Sequence, residues 1–339
     1  MAQSSVFAMQ PIRIELPTGL QVGTVNVYLF TEPEPVLVDA GMRTPESWEA
    51  LQVGLAENGL TVLDLSRIFI THAHIDHYGQ AGTIVTHSDA DVWISDLGAS
   101  WLTTTNELWQ HRLLFYQQEF LPKTGLPQPI TAGIVAGLQA LAAQVDPIPL
   151  QNIHTFRLDG VVQMGGMPWQ VLYTPGHASM QTCFYQPQTK QLLSADMLLA
   201  ITPTPVVEAP PPGQKRRVPA LPQYLKSLAI LKALDVDQVY PGHGRPFTNH
   251  RKVIKRQYKR IMQRKAECLE FITAGCHTVA ELLDKMYAHH PAQQRIAGLW
   301  MLIGYLDLLE EDGTIEKSLV NGVWHFAAHE STPDITENS

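Results

Sequence analysis

The nine residues from Thr71 to Gly79 constrain this chain more than any other stretch. They contain three histidines and one aspartate within six positions, and they directly follow the apolar run Ile68-Phe69-Ile70. Such a run is typical of a buried strand, so the polar loop after it holds its side chains in fixed directions. Neutral imidazole and carboxylate suit zinc, and also iron or manganese. Because folding alone does not require these residues at a strand end, the pattern predicts a metal site.

Length, charge and cysteine content narrow the class of protein. The 339 residues suffice for one large domain and a smaller one, and the net charge of −8 argues against a surface that attracts nucleic acid or anionic membrane as a whole. The three cysteines lack zinc-finger spacing, which indicates a reducing compartment. No signal peptide and no run of about 18 apolar residues is visible. We therefore expect a soluble, cytoplasmic protein without membrane contacts.

The chain before residue 97 alternates predicted strands and helices, an order typical of a layered α/β fold. The expected elements are Ile12–Leu16, Val25–Phe30, Pro35–Val38, the helix Pro45–Glu57, Ile68–Ile70, the helix Tyr78–His87 and Ala90–Ile94. Asp39 follows the third strand and lies just before Gly41. An aspartate there can orient a ligand-bearing loop, which we predict, or can simply form the turn.

Residues 97–150 interrupt this alternation. Trp101–Phe120 carries aromatic and leucine side chains at helical spacing, and Ile130–Val145 is a second helical, alanine-rich piece. The pattern predicts a helical insertion. Its aromatic stripe is expected to pack more than to contact substrate, although an insertion beside an active site can form a pocket wall.

Three further candidate ligands follow strand-like runs later in the chain. They are His177 after Pro175-Gly176, Asp196 after Ser194-Ala195, and His243 after Pro241-Gly242. Each Pro-Gly pair makes a rigid turn that aims the next side chain. Together with the first loop, the candidate ligands are His72, His74, Asp76, His77, His177, Asp196 and His243. Five histidines and two aspartates suit two metal ions about 3.5–4 Å apart.

These motifs resemble those of the metallo-β-lactamase superfamily over about residues 12–250. The matching residues, in order, are Val38-Asp39-Ala40-Gly41, Thr71–His77, Pro175-Gly176-His177, Ser194-Ala195-Asp196 and Pro241-Gly242-His243-Gly244. The resemblance implies an α/β fold, namely a four-layer αββα sandwich with the metals at one edge of its two sheets.

The resemblance also implies how the ligands are sorted between the ions. It implies His72, His74 and His177 on one ion, Asp76, His77 and His243 on the other, and Asp196 as the bridge. With Asp rather than Cys at position 196, the pattern is similar to the glyoxalase II, lactonase and ribonuclease branches. It differs from the branch that hydrolyses β-lactams with a cysteine ligand, because Cys183 is too near His177 in sequence to take that role.

Three predicted helices and a hairpin follow this region. They are Asn249–Ile272, a helix opened by a capping box at Thr278 and Glu281, Ile296–Glu310, and a hairpin at Asn321-Gly322. The order predicts a winged-helix-like module and resembles the superfamily branch that includes the β-lactamase-like ribonuclease. The resulting division is a catalytic domain over 1–249, a winged-helix-like domain over 250–330 and a flexible tail over 331–339.

The first of these helices carries a cluster of basic side chains. Its members are Arg251, Lys252, Lys255, Arg256, Lys259, Arg260, Arg264 and Lys265. A winged helix can bind nucleic acid, but the third helix has only Arg295 near its start. We therefore favour a solvated basic face on a module that packs or forms a homodimer, and keep a nucleic-acid surface as the alternative.

The complete ligand set predicts a dinuclear metal-dependent hydrolase. Two divalent ions, zinc or alternatively iron or manganese, would lower the pKa of a bound water from 15.7 toward about 7 and so supply a metal-bound hydroxide at neutral pH. Asp76 is expected both to ligate and to orient this nucleophile. Tyr78 either donates a hydrogen bond to the developing oxyanion or packs in the core.

Three functions compete at this point. The acidic net charge and the aromatic insertion favour a small-molecule carboxylic ester, either a thioester or a lactone, with an apolar acyl group. The C-terminal module and its basic helix favour a phosphodiesterase or endoribonuclease. A non-catalytic binding protein is the third possibility, and the cost of keeping seven polar groups near a core argues against it.

Overall fold

Two β-sheets carry the fold. The computed structural model describes residues 10–20, 22–201, 208–214 and 216–329. Within these residues the first sheet has six strands, arranged in chain order. They are β1 (Ile12–Leu20), β2 (Gly23–Phe30), β3 (Val36–Val38), β4 (Arg67–Phe69), β5 (Asp91–Ser95) and β6 (Ile153–Phe156). The strands from β3 to β6 are parallel to one another, whereas β1, β2 and β3 pair antiparallel.

The second sheet is mostly antiparallel. Its five strands are β7 (Val161–Met164), β8 (Met167–Tyr173), β9 (Thr182–Gln186), β10 (Gln191–Ala195) and β11 (Gln238–Pro241). In space they follow the order β11-β10-β9-β8-β7, and only the pair of β10 and β11 is parallel. Because parallel neighbours end at the same edge of a sheet, the loops after β10 and β11 emerge side by side, as do those after β3 and β4.

Helices cover the outer faces of the two sheets. They are α1 (Pro45–Ala56), α2 (Ile75–Tyr78), α3 (Ala81–Ser88), α4 (Ala99–Thr103), α5 (Thr105–Leu114), α6 (Gln128–Ala142), α7 (Ala220–Ala233), α8 (His250–Thr273), α9 (Val279–Tyr287) and α10 (Ala292–Glu311). A C-terminal hairpin follows, formed by β12 (Ile315–Val320) and β13 (Val323–Ala328).

Three clusters of buried side chains hold these layers together. One lies between the two sheets and includes Phe30, Phe69, Trp169 and Phe184. A second joins the first sheet to α1 and α3, and the third joins the second sheet to α7 and the C-terminal helices. The order of layers is therefore helix, sheet, sheet, helix, which confirms the predicted αββα sandwich.

The insertion over 97–150 is helical, as predicted, but it is broken into more pieces. The single helix expected over Trp101–Phe120 is instead α4, α5 and a π-helical turn over Phe115–Phe120. The turn directs Tyr116 and Phe120 onto Trp300 of α10, with ring centroids 5.4 Å and 6.1 Å apart. The insertion therefore packs on the C-terminal part of the chain.

The C-terminal part contains the three predicted helices and the hairpin, and its buried side chains share one cluster with those of α7. Leu302 and Tyr305 of α10 belong to the same buried cluster as Leu221 and Tyr224 of α7. Arg217, which precedes α7, forms an ion pair with the buried Asp307 of α10. The winged-helix assignment and the domain boundary at residue 249 stay predictions, and the tail over 331–339 lies outside the described residues.

The last predicted helix was too short at its start. α10 begins at Ala292 rather than at Ile296, and Pro291 is its N-cap residue. The prediction placed the start of the helix at the first apolar residues. The helix itself starts earlier, because the fixed φ angle of Pro291 favours a helix start directly after it. In the described part of the chain, no helix has the length and apolar character needed to cross a bilayer.

Candidate metal centre

The loop after β4 places its four candidate ligands in two conformations. His74, the N-cap residue of α2, lies in extended backbone, whereas Asp76 and His77 lie in the single turn of this helix. The backbone N–H groups of His77 and Tyr78 donate to the carbonyl of His74, at 2.9 Å and 3.2 Å. The change from extended chain to helix directs all four side chains to one side of the loop.

The other three ligands arrive from the second sheet. Asp196 directly follows β10 and His243 follows β11, so the parallel pairing of these strands brings the two side chains together. His177 comes from the connection between β8 and β9. Gly242 is required here because a Cβ atom at this position would collide with the Asp196 carboxylate.

The seven side chains form overlapping groups that can each hold an ion. The groups are His72, His74 and His177; His72, His77 and Asp196; and Asp76, His77 and His243, and in each the donor atoms lie within 4.8 Å of one another. In the first group, Nδ1 of His74 is 3.1 Å from Nε2 of His72 and 2.7 Å from Nε2 of His177. The first and third groups are the two ligand sets that the resemblance implied.

Asp196 lies between these two sets. Its Oδ2 atom is 3.5 Å from Nε2 of His177 and 3.2 Å from Nε2 of His243, while Oδ1 is 3.5 Å from Nε2 of His77. A carboxylate in contact with imidazoles of both sets has the position that a bridging ligand requires.

The donor chemistry of the centre fits divalent cations. Nε2 of His77 is buried, faces the centre and has no hydrogen-bond partner among the residues that the structure describes. Buried polar atoms normally have partners, and a cation supplies one for an unprotonated ring nitrogen. Imidazoles packed at 2.7–3.1 Å with carboxylates beside them are a donor set for a metal rather than for a hydrophobic core.

Asp39 orients the ligand-bearing loop, as predicted, from the side opposite the metal ligand atoms. Its Oδ2 atom accepts a hydrogen bond from Nδ1 of His77 at 2.8 Å, and its Oδ1 atom accepts one from the backbone N–H of Thr71 at 2.8 Å. The same arrangement recurs at His243, whose Nδ1 atom donates to the carbonyl of Thr24 at 2.7 Å. Each bond holds Nδ1 protonated and leaves Nε2 as the free donor atom toward the centre.

Burial keeps three of the histidines in the neutral form that binds metals. It lowers the pKa of His72 and His74 well below the ordinary value, and that of His177 to about 4. Burial acts in the same direction on His77 and His243, but the carboxylate of Asp196, helped by Asp76, outweighs it and raises the pKa of both. The centre therefore presents both neutral imidazole and concentrated negative charge to a cation, which would displace the protons of the last two rings.

Asp76 remains ionised. Burial raises its pKa, but the neighbouring rings of His77 and His243 outweigh burial and bring the pKa down to about 2. Its Oδ2 atom is 3.4 Å from Nε2 of His243. Asp76 can therefore act as a carboxylate ligand and hydrogen-bond acceptor at neutral pH.

Tyr78 does not reach the space in front of the ligands. Its side chain is 1% exposed, and its hydroxyl accepts a hydrogen bond from Nε1 of Trp109 at 3.1 Å. Burial also raises the pKa of Tyr78 to about 12. Of the two roles considered for this residue, the geometry supports packing and gives no support to oxyanion binding.

A cavity of about 490 Å³ opens in front of the ligands. His74, Asp76, His177, Asp196 and His243 form one end of it. The apolar part of the wall includes Leu138, Leu199, Ile261, Trp300, Met301 and Tyr305. These side chains come mainly from the insertion, α8 and α10, so the C-terminal part of the chain is a wall of the site.

Sequence reasoning missed several polar residues of this wall. They are Arg112, Tyr116, Tyr224, Gln257, Arg260 and Arg264. The only signal for two of them was the basic cluster on α8. Four of the eight basic residues have partners among the described residues. Arg251 donates to the backbone carbonyls of Lys232 and Leu234, and Arg256 donates to that of Ala200. Arg264 forms an ion pair with Glu267, and Lys265 forms one with Asp312.

Comparison with known proteins assigns the family. The sequence model of the metallo-β-lactamase superfamily matches residues 20–243, and the chain belongs to this superfamily. The chain is 29% identical over 308 residues to the probable metallo-hydrolase YqjP of Bacillus subtilis (strain 168), covering 90% of this chain and 93% of that relative. It is 22% identical over 289 residues to the atrochrysone carboxyl ACP thioesterase of Aspergillus fumigatus, covering 81% and 72%.

Solved structures extend the likeness over nearly the whole chain. A metallo-beta-lactamase family protein of Thermus thermophilus has a TM-score of 0.76 and 24% identity, with 94% of this chain and 98% of that chain covered. A beta-lactamase domain protein of Burkholderia ambifaria has a TM-score of 0.78 and 19% identity, with 97% of each chain covered. Family, fold and ligand cluster together make this chain a metallo-hydrolase of the superfamily.

Proposed function

We propose that the chain hydrolyses an acyl thioester with an apolar acyl group. The observation that carries the proposal is the cavity, which has metal ligands at one end and a wall of leucine, isoleucine, methionine and aromatic side chains beyond them. Its volume of about 490 Å³ lies within the range of small-molecule sites. An apolar acyl chain would pack against this wall, and the carbonyl group of the thioester would lie beside the metal ligands.

Two features favour a thioester over a lactone. The lining of the cavity includes apolar side chains of α8 and α10 as well as the candidate ligands, which offers an apolar acyl chain more contacts than a compact ring would use. The ACP thioesterase of Aspergillus fumigatus, which acts on a thioester of a carrier protein by its name, matches 81% of this chain.

The arrangement of ligands supports two ions. The two sets of three ligands lie on either side of Asp196, which contacts imidazoles of both. Nitrogen and carboxylate donors without a thiolate suit zinc, with iron and manganese as alternatives. Bound there, such ions would activate water as the nucleophile and polarise the carbonyl group of the substrate.

The residues of the chain position the reactants. Asp76 stays ionised, so it accepts a hydrogen bond from the attacking water and orients it toward the carbonyl carbon. Arg112 borders the cavity close enough to His74 for its charge to lower the pKa of that ring. Its guanidinium is held over the rings of Trp101 and Trp109, at 5.9 Å and 5.3 Å from their centroids. We assign to Arg112 the stabilisation of negative charge on the carbonyl oxygen.

A panel of substrates tests the proposal. Purified full-length protein is analysed for zinc, iron and manganese, and then assayed with a decanoyl thioester, the matched oxygen ester, a lactone and bis(p-nitrophenyl) phosphate. We expect close to two ions per chain and the highest kcat/KM for the thioester. Cleavage of the phosphodiester alone would overturn the thioester assignment in favour of the phosphodiesterase alternative.

Two further outcomes address the remaining predictions. Protein that holds neither metal nor activity would favour the non-catalytic binding protein. Binding of RNA to the wild-type chain in a salt-dependent manner would favour a nucleic-acid surface on α8. A homodimer and a cytoplasmic location stay predictions, which sedimentation and cell fractionation would test.

A further inference from the structure

We propose that Arg260 and Arg264 form an anion-binding subsite in the cavity, so that the substrate carries a phosphate or carboxylate group apart from its scissile bond. The inference rests on the proposed function, because it names the class of thioester that the same cavity accepts. It also changes the interpretation of the basic helix, since these two arginines border the cavity that the candidate metal ligands line.

The two arginines share one face of α8. They are four residues apart, which places side chains on the same side of a helix about one turn from each other. Both border the cavity, as does Ile261 between them. The metal ligands His74, Asp196 and His243 border the same cavity. A single substrate can therefore contact the metal centre and the arginine pair together.

The charge of this pair is only partly neutralised within the chain. Arg264 pairs with Glu267, donates to the carbonyl of Met286 at 2.9 Å and lies 4.8 Å from the ring centroid of Tyr287. Arg260 forms no ion pair or hydrogen bond with any residue that the structure describes. Because Glu267 is, in the described part of the chain, the one carboxylate paired with these two guanidinium groups, the pair keeps a net positive charge beside the cavity.

The cavity itself supplies no counter-ion for Arg260. Among the described residues that line it, the only carboxylates are Asp76 and Asp196, and both belong to the metal centre. The neighbouring wall consists mainly of apolar and aromatic side chains. The planar guanidinium group matches the oxygens of carboxylate and phosphate in a two-point contact. An anionic group of the substrate is thus the partner that this geometry accepts.

Lys259 provides a matched control for Arg260. It lies next to Arg260 on α8 and is also exposed, but it does not border the cavity. Replacement of either residue by glutamine removes one positive charge from the same helix turn. Only the replacement of Arg260 removes it from the cavity.

The test is a binding measurement with thioethers, which the enzyme cannot hydrolyse. Isothermal titration compares S-decyl phosphopantetheine, S-decyl N-acetylcysteamine, and an N-acetylcysteamine thioether whose ten-carbon chain ends in a carboxylate. For the wild type we expect at least one anionic thioether to bind about tenfold more tightly than the neutral one, the gain typical of a charged hydrogen bond. A preference for the phosphate places the anion on the thiol side of the substrate, and a preference for the carboxylate places it on the acyl side.

The variants decide whether the arginines cause this preference. We expect Arg260→Gln to reduce it to less than about threefold, whereas Lys259→Gln retains it. Arg264→Lys, which keeps the charge but loses the planar fork, should reduce it partially. Equal affinity of the wild type for all three thioethers, equal losses in the two glutamine variants, or no binding of any thioether would overturn the subsite.

Failure of this inference differs from failure of the proposed function. Hydrolysis of thioesters without any preference for an anionic thioether would retain the proposed function and remove the subsite. A preference for the anionic thioether that depends on Arg260, in a protein that hydrolyses no thioester, would retain the subsite and remove the proposed reaction.

Discussion

The metal centre and the cavity wall are built in different ways. The seven candidate ligands lie in four loops that each follow a strand, and the strand pairing brings them to one edge of the sandwich. The wall instead combines side chains from the insertion, α8 and α10, which are far apart in sequence and meet only through packing. The candidate ligands therefore come from local motifs, whereas the wall that faces them depends on how separate segments assemble.

The largest expected effect comes from removing one ligand on each side of Asp196. His72→Ala combined with His243→Ala should abolish metal binding and lower activity by about a thousandfold or more, because bound metal would supply the activated water and polarise the carbonyl group in the proposed reaction. Metal analysis and thioester assays measure this. His154→Ala, a histidine outside the centre that pairs with Asp91, is the control. Retention of metal and turnover in the double variant would contradict the site assignment.

A smaller effect is expected from the residue behind the centre. Asp39→Asn should lower metal affinity or activity by about 10–100-fold, the usual cost of losing an outer partner of a metal ligand, since His77 loses the carboxylate that orients it. Competition with a chelator followed by assay checks this. Asp91→Asn, whose carboxylate faces His154, should behave like the wild type. An unchanged chelator profile in Asp39→Asn would show that Asp39 only forms the turn.

Replacement of Arg112 tests whether the cavity wall contributes to catalysis as well as to substrate binding. Arg112→Met keeps much of the packing against Trp101 and Trp109 but removes the charge, and it should lower kcat/KM by about tenfold or more while metal content is unchanged. A fall in metal content to the same extent would mean that Arg112 supports the ligands rather than the substrate. Steady-state kinetics with metal analysis separates the two.

The smallest effect is expected at Tyr78. Tyr78→Phe removes the hydroxyl that accepts the Trp109 hydrogen bond, and this should reduce the free energy of unfolding by about 1 kcal/mol. Activity should remain within about twofold of the wild type, because the hydroxyl does not reach the cavity. Urea unfolding and thioester assays measure both quantities. A large loss of kcat with unchanged stability would restore the oxyanion role considered for this residue.

The local elements of the fold were largely predictable. α8 was expected over Asn249–Ile272 and extends over His250–Thr273, since its apolar stripe and flanking residues define it locally. The stretch Trp101–Phe120 was predicted as helical but not as three pieces, because the aromatic residues of Phe115–Phe120 continue the helical spacing through a π-helical turn. Hydrophobic spacing cannot separate a regular helix from such a distortion.

The face that a helix turns toward its neighbours was not predictable in the same way. The basic residues of α8 surround much of the helix, so the pattern could not show that Arg260 and Arg264 border the cavity while Lys259 does not. Tyr78 illustrates the opposite case. Its place beside the ligands in sequence suggested a catalytic role, but the turn of α2 directs its side chain away from the cavity toward Trp109.

The sequence by itself determined which candidate ligands the chain offers and largely the order of strands and helices, because strand ends, Pro-Gly turns and hydrophobic spacing act over a few residues. The tertiary structure alone decided what lies opposite the ligands. The insertion and the C-terminal helices pack into one buried cluster and contribute side chains to the wall of the cavity. The physical reason is that contacts between distant segments depend on the combined shape of all layers, which no single stretch of sequence encodes.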